Sequence, residues 1–233
     1  MYPIKGFIET SFLDWPGKVA AVVFLPGCNF RCPYCHNHEL VLRPQTLLNI
    51  PLDNILERLK GFKGWIDGVV ISGGEPTLQG KLPELIGIFK QEGFLVKLDT
   101  NGSRPDLLEQ LISKRLLDYI AMDVKAPLDD LHYRRVTGKA VDVRQIRKSC
   151  DLLMSSPIEY EFRTTICPAL LNLHDCEDLF AQLSGAKKLT LQNFNPHSTL
   201  DPKLQDIAPL SAQEMQALLE SAKKWVKSCR VAG

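Results

Sequence analysis

The chain reads as an α/β protein: a partial (β/α)6 barrel of the TIM type, with a mostly parallel sheet in a single domain. Three observations predict it. Short runs rich in β-branched residues alternate with longer stretches of helical periodicity, the signature of repeated βα units. Six such units are counted from Val19 onward, too few to close an eight-fold barrel. The strings richest in Cys, Gly, Asp and Asn fall directly after the strand segments, at the carboxyl ends where parallel sheets bind ligands. A length of 233 residues suits one such domain, with 1–18 as an N-terminal extension and 211–233 as a C-terminal helix and tail.

In chain order, Ile4 to Ile8 and Val19 to Leu25 are expected strands, separated by the turn string Asp14-Trp15-Pro16-Gly17. Leu52 to Lys60 places Leu52, Ile55, Leu56 and Leu59 at helical spacing. Val69 to Ile71 is a short buried strand stopping at Ser72-Gly73-Gly74. Leu82 to Glu92 is a helix ended by Gly93, and Phe94 to Leu98 is a strand halting at Asp99-Thr100-Asn101-Gly102. Pro105 suits a first helical turn, for a helix reaching about Leu116. Tyr119 to Met122 is a strand leading into Asp123-Val124-Lys125, after which a loop of about fifteen residues is expected. Val143 to Met154 is helical, Ile158 to Ile166 a strand carrying Arg163, and Asp175 to Leu183 helical. Lys188 to Gln192 is the last strand expected, and Ser211 to Lys227 a terminal amphipathic helix.

A net charge of +1 gives no global attraction to nucleic acid or to an anionic membrane. The first residues lack the basic and apolar regions of a signal peptide, and the apolar run from Val19 to Pro26 is far below the ~20 residues that span a bilayer. A cytoplasmic protein is therefore expected. Seven cysteines, an odd number with three clustered, suit a reducing compartment and metal binding better than a disulfide framework. Cys150, Cys167, Cys176 and Cys229 stand singly and read as small buried hydrophobes.

The clustered three, Cys28, Cys32 and Cys35, offer three thiolates from one loop and no fourth. A [4Fe-4S] cluster ordinarily takes four Cys ligands, so three leave one iron open. Structural zinc is the competing metal, with His36 or His38 as a fourth ligand. Against zinc, the Cys-x3-Cys-x2-Cys spacing is unusual for it, and the loop opens a large sheet. Gly73 and Gly74 lack Cβ atoms, so that backbone at a strand end can approach a ligand closely; Glu75 beside them places an acceptor near a cationic amine.

The cysteine spacing with aromatic Tyr34 before the last Cys, followed by Gly73-Gly74-Glu75-Pro76, resembles the radical S-adenosylmethionine (SAM) superfamily. That resemblance implies a [4Fe-4S] cluster on Cys28, Cys32 and Cys35, the open iron chelated by the methionine part of SAM, and reductive cleavage to methionine and a 5′-deoxyadenosyl radical. It places Tyr34 in the cofactor pocket, with Gly73, Gly74 and Glu75 holding the methionine amine. Asp99-Thr100-Asn101-Gly102, Asp123-Val124-Lys125 and Cys35-His36-Asn37 resemble strings of the glycyl radical enzyme activases. This implies Asp99 and Asp123 beside the methionine moiety, a monovalent cation between them, Lys125 on a carboxylate, and Arg163 approaching the cofactor. Asn195 stands where one activase group carries an adenosyl-contacting His, a departure from that pattern.

From Phe7-Ile8-Glu9-Thr10-Ser11 through Leu13-Asp14-Trp15-Pro16-Gly17-Lys18 onward, the chain looks most like the anaerobic ribonucleoside-triphosphate reductase activating proteins. The implied partner is that glycyl radical enzyme. No cysteine lies between His36 and Leu52, where many activases insert a further cluster module, so the electron would come from an external donor such as flavodoxin or ferredoxin. Two other readings stand beside this one: a small-molecule radical SAM enzyme such as a 7-carboxy-7-deazaguanine synthase, and a non-catalytic metal-binding scaffold. Trp15 and Phe12 are expected in packing rather than in a radical channel. His132 reads equally as part of an activase loop or as a surface residue, and His174 and His197 as surface residues.

Overall fold

The computed structural model describes residues 1–232. Eight strands lie in one open sheet in chain order, β1 to β8. They are β1 (Gly6–Ser11), β2 (Ala20–Leu25), β3 (Gly68–Gly73), β4 (Leu95–Thr100), β5 (Tyr119–Asp123), β6 (Glu159–Ile166), β7 (Leu189–Asn193) and β8 (Cys229–Ala232). β1 pairs antiparallel with β2, whereas β2–β3, β3–β4, β6–β7 and β7–β8 are parallel. The helices are α1 (His38–Leu42), α2 (Leu52–Gly61), α3 (Leu82–Gln91), α4 (Pro105–Ser113), α5 (Asp130–Thr137), α6 (Val143–Ser155), α7 (Leu173–Gln182) and α8 (Ala212–Ala222).

The residues pack into two compact units. One holds Met1–Asn29, Asn37–Thr100 and Asp106–Ile120; the other holds Phe30–His36, Asn101–Pro105 and the chain from Ala121 onward. In the first, the unbroken run Ala20 to Val23 is wholly buried, as expected of a parallel strand covered on both faces. Leu82, Leu85, Ile86 and Phe89 present the buried stripe of α3. Trp15 is buried, its ring meeting Tyr119 at 6.0 Å, while Phe12 stands exposed; packing is thus the role of Trp15 alone. In the second unit Phe162, Leu179, Phe180 and Leu191 are buried side chains, and α6 contributes Ile146 and Leu153. Cys150, Cys167 and Cys176 are buried as expected, but Cys229, on strand β8, is only half-buried.

Four expectations need correction. The first strand runs Gly6–Ser11 rather than from Ile4, because pairing with β2 sets its register and a bulge between Ile8 and Ser11 carries it further. The stretch after Lys125 is not an open loop: α5 lies in it, its start capped by the Asp129 side chain on the amides of Leu131 and His132, its end by Gly138 at φ 64°. Lys188 to Gln192 is not the last strand, since Cys229–Ala232 adds β8 beside β7. The terminal helix stops at Ala222, well before Lys227. Gly233, the end of the expected tail, lies outside the described residues. Among the described residues no helix is long and apolar enough to cross a membrane.

The α5 cap makes a direct prediction. Asp129→Ala removes the side chain serving two orphan amides and should lower the unfolding free energy by about 1 kcal/mol. Denaturant titration measures it; an unchanged midpoint would mean that the helix does not depend on its cap.

Candidate functional site

Both units carry polar strings at their strand ends. In the first unit, β2 ends at Leu25 and Cys28 follows after Pro26-Gly27. The β2–β3 ladder continues past both strands: Gly74 donates its amide to the Leu25 carbonyl at 2.8 Å, and Glu75 to the Gly27 carbonyl at 2.7 Å. The approach is so close that a Cβ on Gly73 would lie 2.2 Å from the Leu25 oxygen, and one on Gly74 only 1.9 Å from the Gly27 oxygen. Gly73 also has φ +119°, which side-chain-bearing residues rarely adopt. The glycines are therefore required by contact with the backbone that launches the cysteine loop. Asn37 completes this junction, its Nδ2 donating to the Gly73 carbonyl at 2.9 Å.

Glu75 is buried, and its Oε1 accepts from the Thr77 amide at 3.0 Å, the Thr77 hydroxyl at 2.5 Å and the Thr100 hydroxyl at 2.8 Å. Asp99 ends β4 and is also buried; Oδ1 accepts from Lys97 Nζ at 2.6 Å and Oδ2 from the Ser72 hydroxyl at 3.1 Å.

In the second unit, Cys32 is buried and Cys35 half-buried, and the Cys35 amide closes a turn on the Cys32 carbonyl at 3.0 Å. Helix α5 supports this loop: the Arg31 amide donates to the Thr137 carbonyl at 2.8 Å. Asp123, at the end of β5, receives Lys125 Nζ on Oδ2 at 3.0 Å and Arg163 Nε on Oδ1 at 2.9 Å. Burial opposes the charged carboxylate, but Arg163 and Lys125 outweigh it and lower its pKa to about 2. The converse holds for Lys125: burial disfavours its charge, yet Asp123 raises its pKa well above the ordinary value. The Tyr34 ring lies 5.9 Å from Lys125 Nζ. Its hydroxyl is buried with no hydrogen-bond partner, and burial pushes the phenol pKa up.

Other expected residues are placed less favourably for a ligand. Asn195 is exposed; its Oδ1 accepts from the His197 amide at 2.9 Å, and its backbone carbonyl lies 2.9 Å from His36 Nε2. Asn101 caps the Ser103 amide at 3.0 Å, and Gly102 holds φ +75° in the same turn. His132 is neither a plain surface residue nor part of an open loop. It bridges Asp129 at 2.6 Å and Asp175 at 3.0 Å. His174 and His197 are exposed.

Lys97 and Ser72 escaped the sequence reading, although a lysine between Val96 and Leu98 in a buried strand was a visible anomaly. Among the described residues, no three His, Cys, Asp or Glu side chains stand grouped as around a metal ion. The chemistry of the donor set nonetheless suits an iron–sulfur cluster: three cysteines in eight residues of one loop, none in a disulfide. Within the second unit, the orphaned Tyr34 hydroxyl and the Asp123 carboxylate held by Lys125 and Arg163 suit a polar, charged ligand.

Residues 22–183 match the family model described as the radical SAM superfamily. A Methanocaldococcus jannaschii protein with the provisional name glycyl-radical enzyme activating enzyme is 34% identical over 229 residues, 96% of this chain and 92% of that one. The pyruvate formate-lyase-activating enzyme of Clostridium pasteurianum is 26% identical, with 92% of this chain and 94% of that one covered. Among solved structures, Streptococcus suis SuiB bound to S-adenosylmethionine superimposes with TM-score 0.66 at 14% identity, covering 91% of this chain and 52% of that one. Coproporphyrinogen III oxidase from Escherichia coli superimposes with TM-score 0.58 at 16% identity, covering 89% and 54%. These two likenesses concern the fold.

Two predictions follow from the geometry. Gly74→Ala should destabilise the protein by about 1–3 kcal/mol and lower its iron content after anaerobic reconstitution. Gly80→Ala, where a Cβ meets nothing within 4 Å, should change stability by less than about 0.5 kcal/mol. Equal behaviour of the two variants in denaturant titration would contradict the tight junction. For Asp123 the sign is set by a folded-state pKa of about 2, below the about 3.9 of an unfolded chain. Its stabilisation is complete above about pH 4 and is lost as the pH falls through about 2. Asp123→Asn should remove on the order of 2 kcal/mol from the acid-limb loss, read by urea unfolding of cluster-free protein between those pH values.

Proposed function

The chain belongs to the radical SAM superfamily, and we propose that it is a glycyl radical enzyme activase whose partner is the anaerobic ribonucleoside-triphosphate reductase. The observation that carries the activase reading is the end-to-end similarity, over 229 residues, to a relative named as an activating enzyme. The superfamily implies a [4Fe-4S] cluster and SAM; when bound, they supply one-electron cleavage of the sulfonium and abstraction of a hydrogen atom. Cys28, Cys32 and Cys35 are the ligand set for the cluster. Gly73, Gly74 and Glu75 receive the methionine amine, while Asp99, Asp123, Lys125 and Arg163 line the zwitterion with fixed charges. Tyr34 faces the cofactor through its unsatisfied hydroxyl. Asn195 stands in place of the adenosyl-contacting His, with its Oδ1 engaged by the His197 amide and its backbone carbonyl by His36.

A monovalent cation near Asp99 and Asp123 would have to share carboxylates already held by Lys97, Lys125 and Arg163. The reductase assignment draws on the Leu13-Asp14-Trp15-Pro16-Gly17-Lys18 string and on the single cysteine cluster. With one cluster, the reducing electron comes from an external carrier of the flavodoxin or ferredoxin kind. Seven cysteines outside disulfides suit the reducing cytoplasm.

Reconstituted with iron and sulfide, reduced by dithionite and given SAM, the protein should release 5′-deoxyadenosine, and Cys32→Ala should not. Mixed with the reductase, it should produce a glycyl doublet in electron paramagnetic resonance. Cofactor cleavage without the doublet would remove the reductase from the proposal; no cleavage at all would remove the enzyme reading.

A further inference from the structure

Lys97 is the one lysine or arginine in the buried class among the described residues, with 0% of its surface exposed. An ammonium in such a place is costly unless it is paired and hydrogen-bonded. Its partners are Asp99 Oδ1 at 2.6 Å and the Asp14 carbonyl at 2.7 Å. Ser72 donates to the other Asp99 oxygen at 3.1 Å, so the carboxylate is fixed at both ends. Its strand neighbours Val96 and Leu98 are wholly buried and apolar. A buried ion pair contributes little stability beyond what a well-packed apolar pair would give, which directs attention to what the pair positions. The Asp14 carbonyl belongs to the loop that seats Trp15 against Tyr119, so Lys97 joins that loop to the end of β4.

We propose that Lys97 is a positioning residue for cofactor binding: its ammonium, itself anchored on the Asp14 carbonyl, holds the Asp99 carboxylate in place. The inference rests on the placement of Asp99 beside the methionine part of SAM in the proposed function. Neither Lys97 nor the Asp14 loop then serves packing alone.

The test uses anaerobically reconstituted holoprotein, with the SAM dissociation constant read from the change it causes in the electron paramagnetic resonance of the reduced cluster. Lys97→Met should weaken SAM binding at least tenfold and raise the KM for SAM more than it lowers kcat, with wild-type iron and sulfide content. In an Asp99→Asn background the same change should alter binding less than twofold, because the carboxylate that it positions is gone. Binding by Lys97→Met within twofold of wild type, or effects that multiply in the double variant, would overturn the inference. Should Lys97→Met alone fail to load a cluster, the double variant against Asp99→Asn decides the matter, since removing both charges leaves no unpaired ion. Wild-type protein that binds no SAM would sink the cofactor reading itself, an outcome distinct from the failure of Lys97.

Discussion

The close approach of Gly73 and Gly74 to Leu25 and Gly27 is the constraint on which the site depends. Two backbones cannot come this near with a Cβ between them, since the added atom would sit about 2 Å from a carbonyl oxygen. Because they do, the β2–β3 ladder extends two hydrogen bonds beyond the strands and delivers the turn carrying Glu75 to the residues just before Cys28. The start of the metal loop and the glycine turn are thus one backbone junction, and neither can shift without breaking the other's hydrogen bonds. Thr77 and Thr100 then fix Glu75, and Asn37 closes the junction from the far side of the cysteines.

In each unit, buried charge is handled by the same device. Asp99 is paired with Lys97 in one unit, and Asp123 with Lys125 and Arg163 in the other. Removing one partner of such a buried pair costs about 3–5 kcal/mol, whereas an exposed pair such as Arg144–Asp142 is screened by water and fixes little. The first kind holds its geometry, and the low pKa of Asp123 reflects this. Under the proposed function, a ligand charge that meets either pair finds groups already desolvated and oriented, so little reorganisation accompanies binding.

What could be read from the sequence follows from how local its cause is. The β2 run was legible as an unbroken apolar stretch, and the α2 and α3 patterns because burial repeats with the helical period. Helix α5 was hidden by His132, Arg134 and Arg135, which mask the buried spacing of Tyr133, Val136 and Thr137; Asp129 and Gly138 were its readable ends. Strand β8 is four residues long and exists through its pairing with β7, a tertiary cause that leaves no pattern. The same division holds at the site. Residue types at strand ends could be named in advance, but not the neighbouring backbone that Gly73 and Gly74 press against. Lys97 was passed over because its partner Asp14 lies 83 positions away.

The engagement of the charged groups with one another bears on the kind of substrate. Asp99 in one unit, and Asp123, Lys125 and Arg163 in the other, are each tied to a counter-charge of the chain itself. A small polar substrate would ask for further directed donors and acceptors, because a site discriminates such molecules through buried polar groups that only the right ligand satisfies. A backbone glycine asks for none: it has no side chain, and its recognition falls to the surface of the protein that carries it. The proposed activase therefore asks for no further charged group to hold its substrate, and its specificity falls to exposed surface.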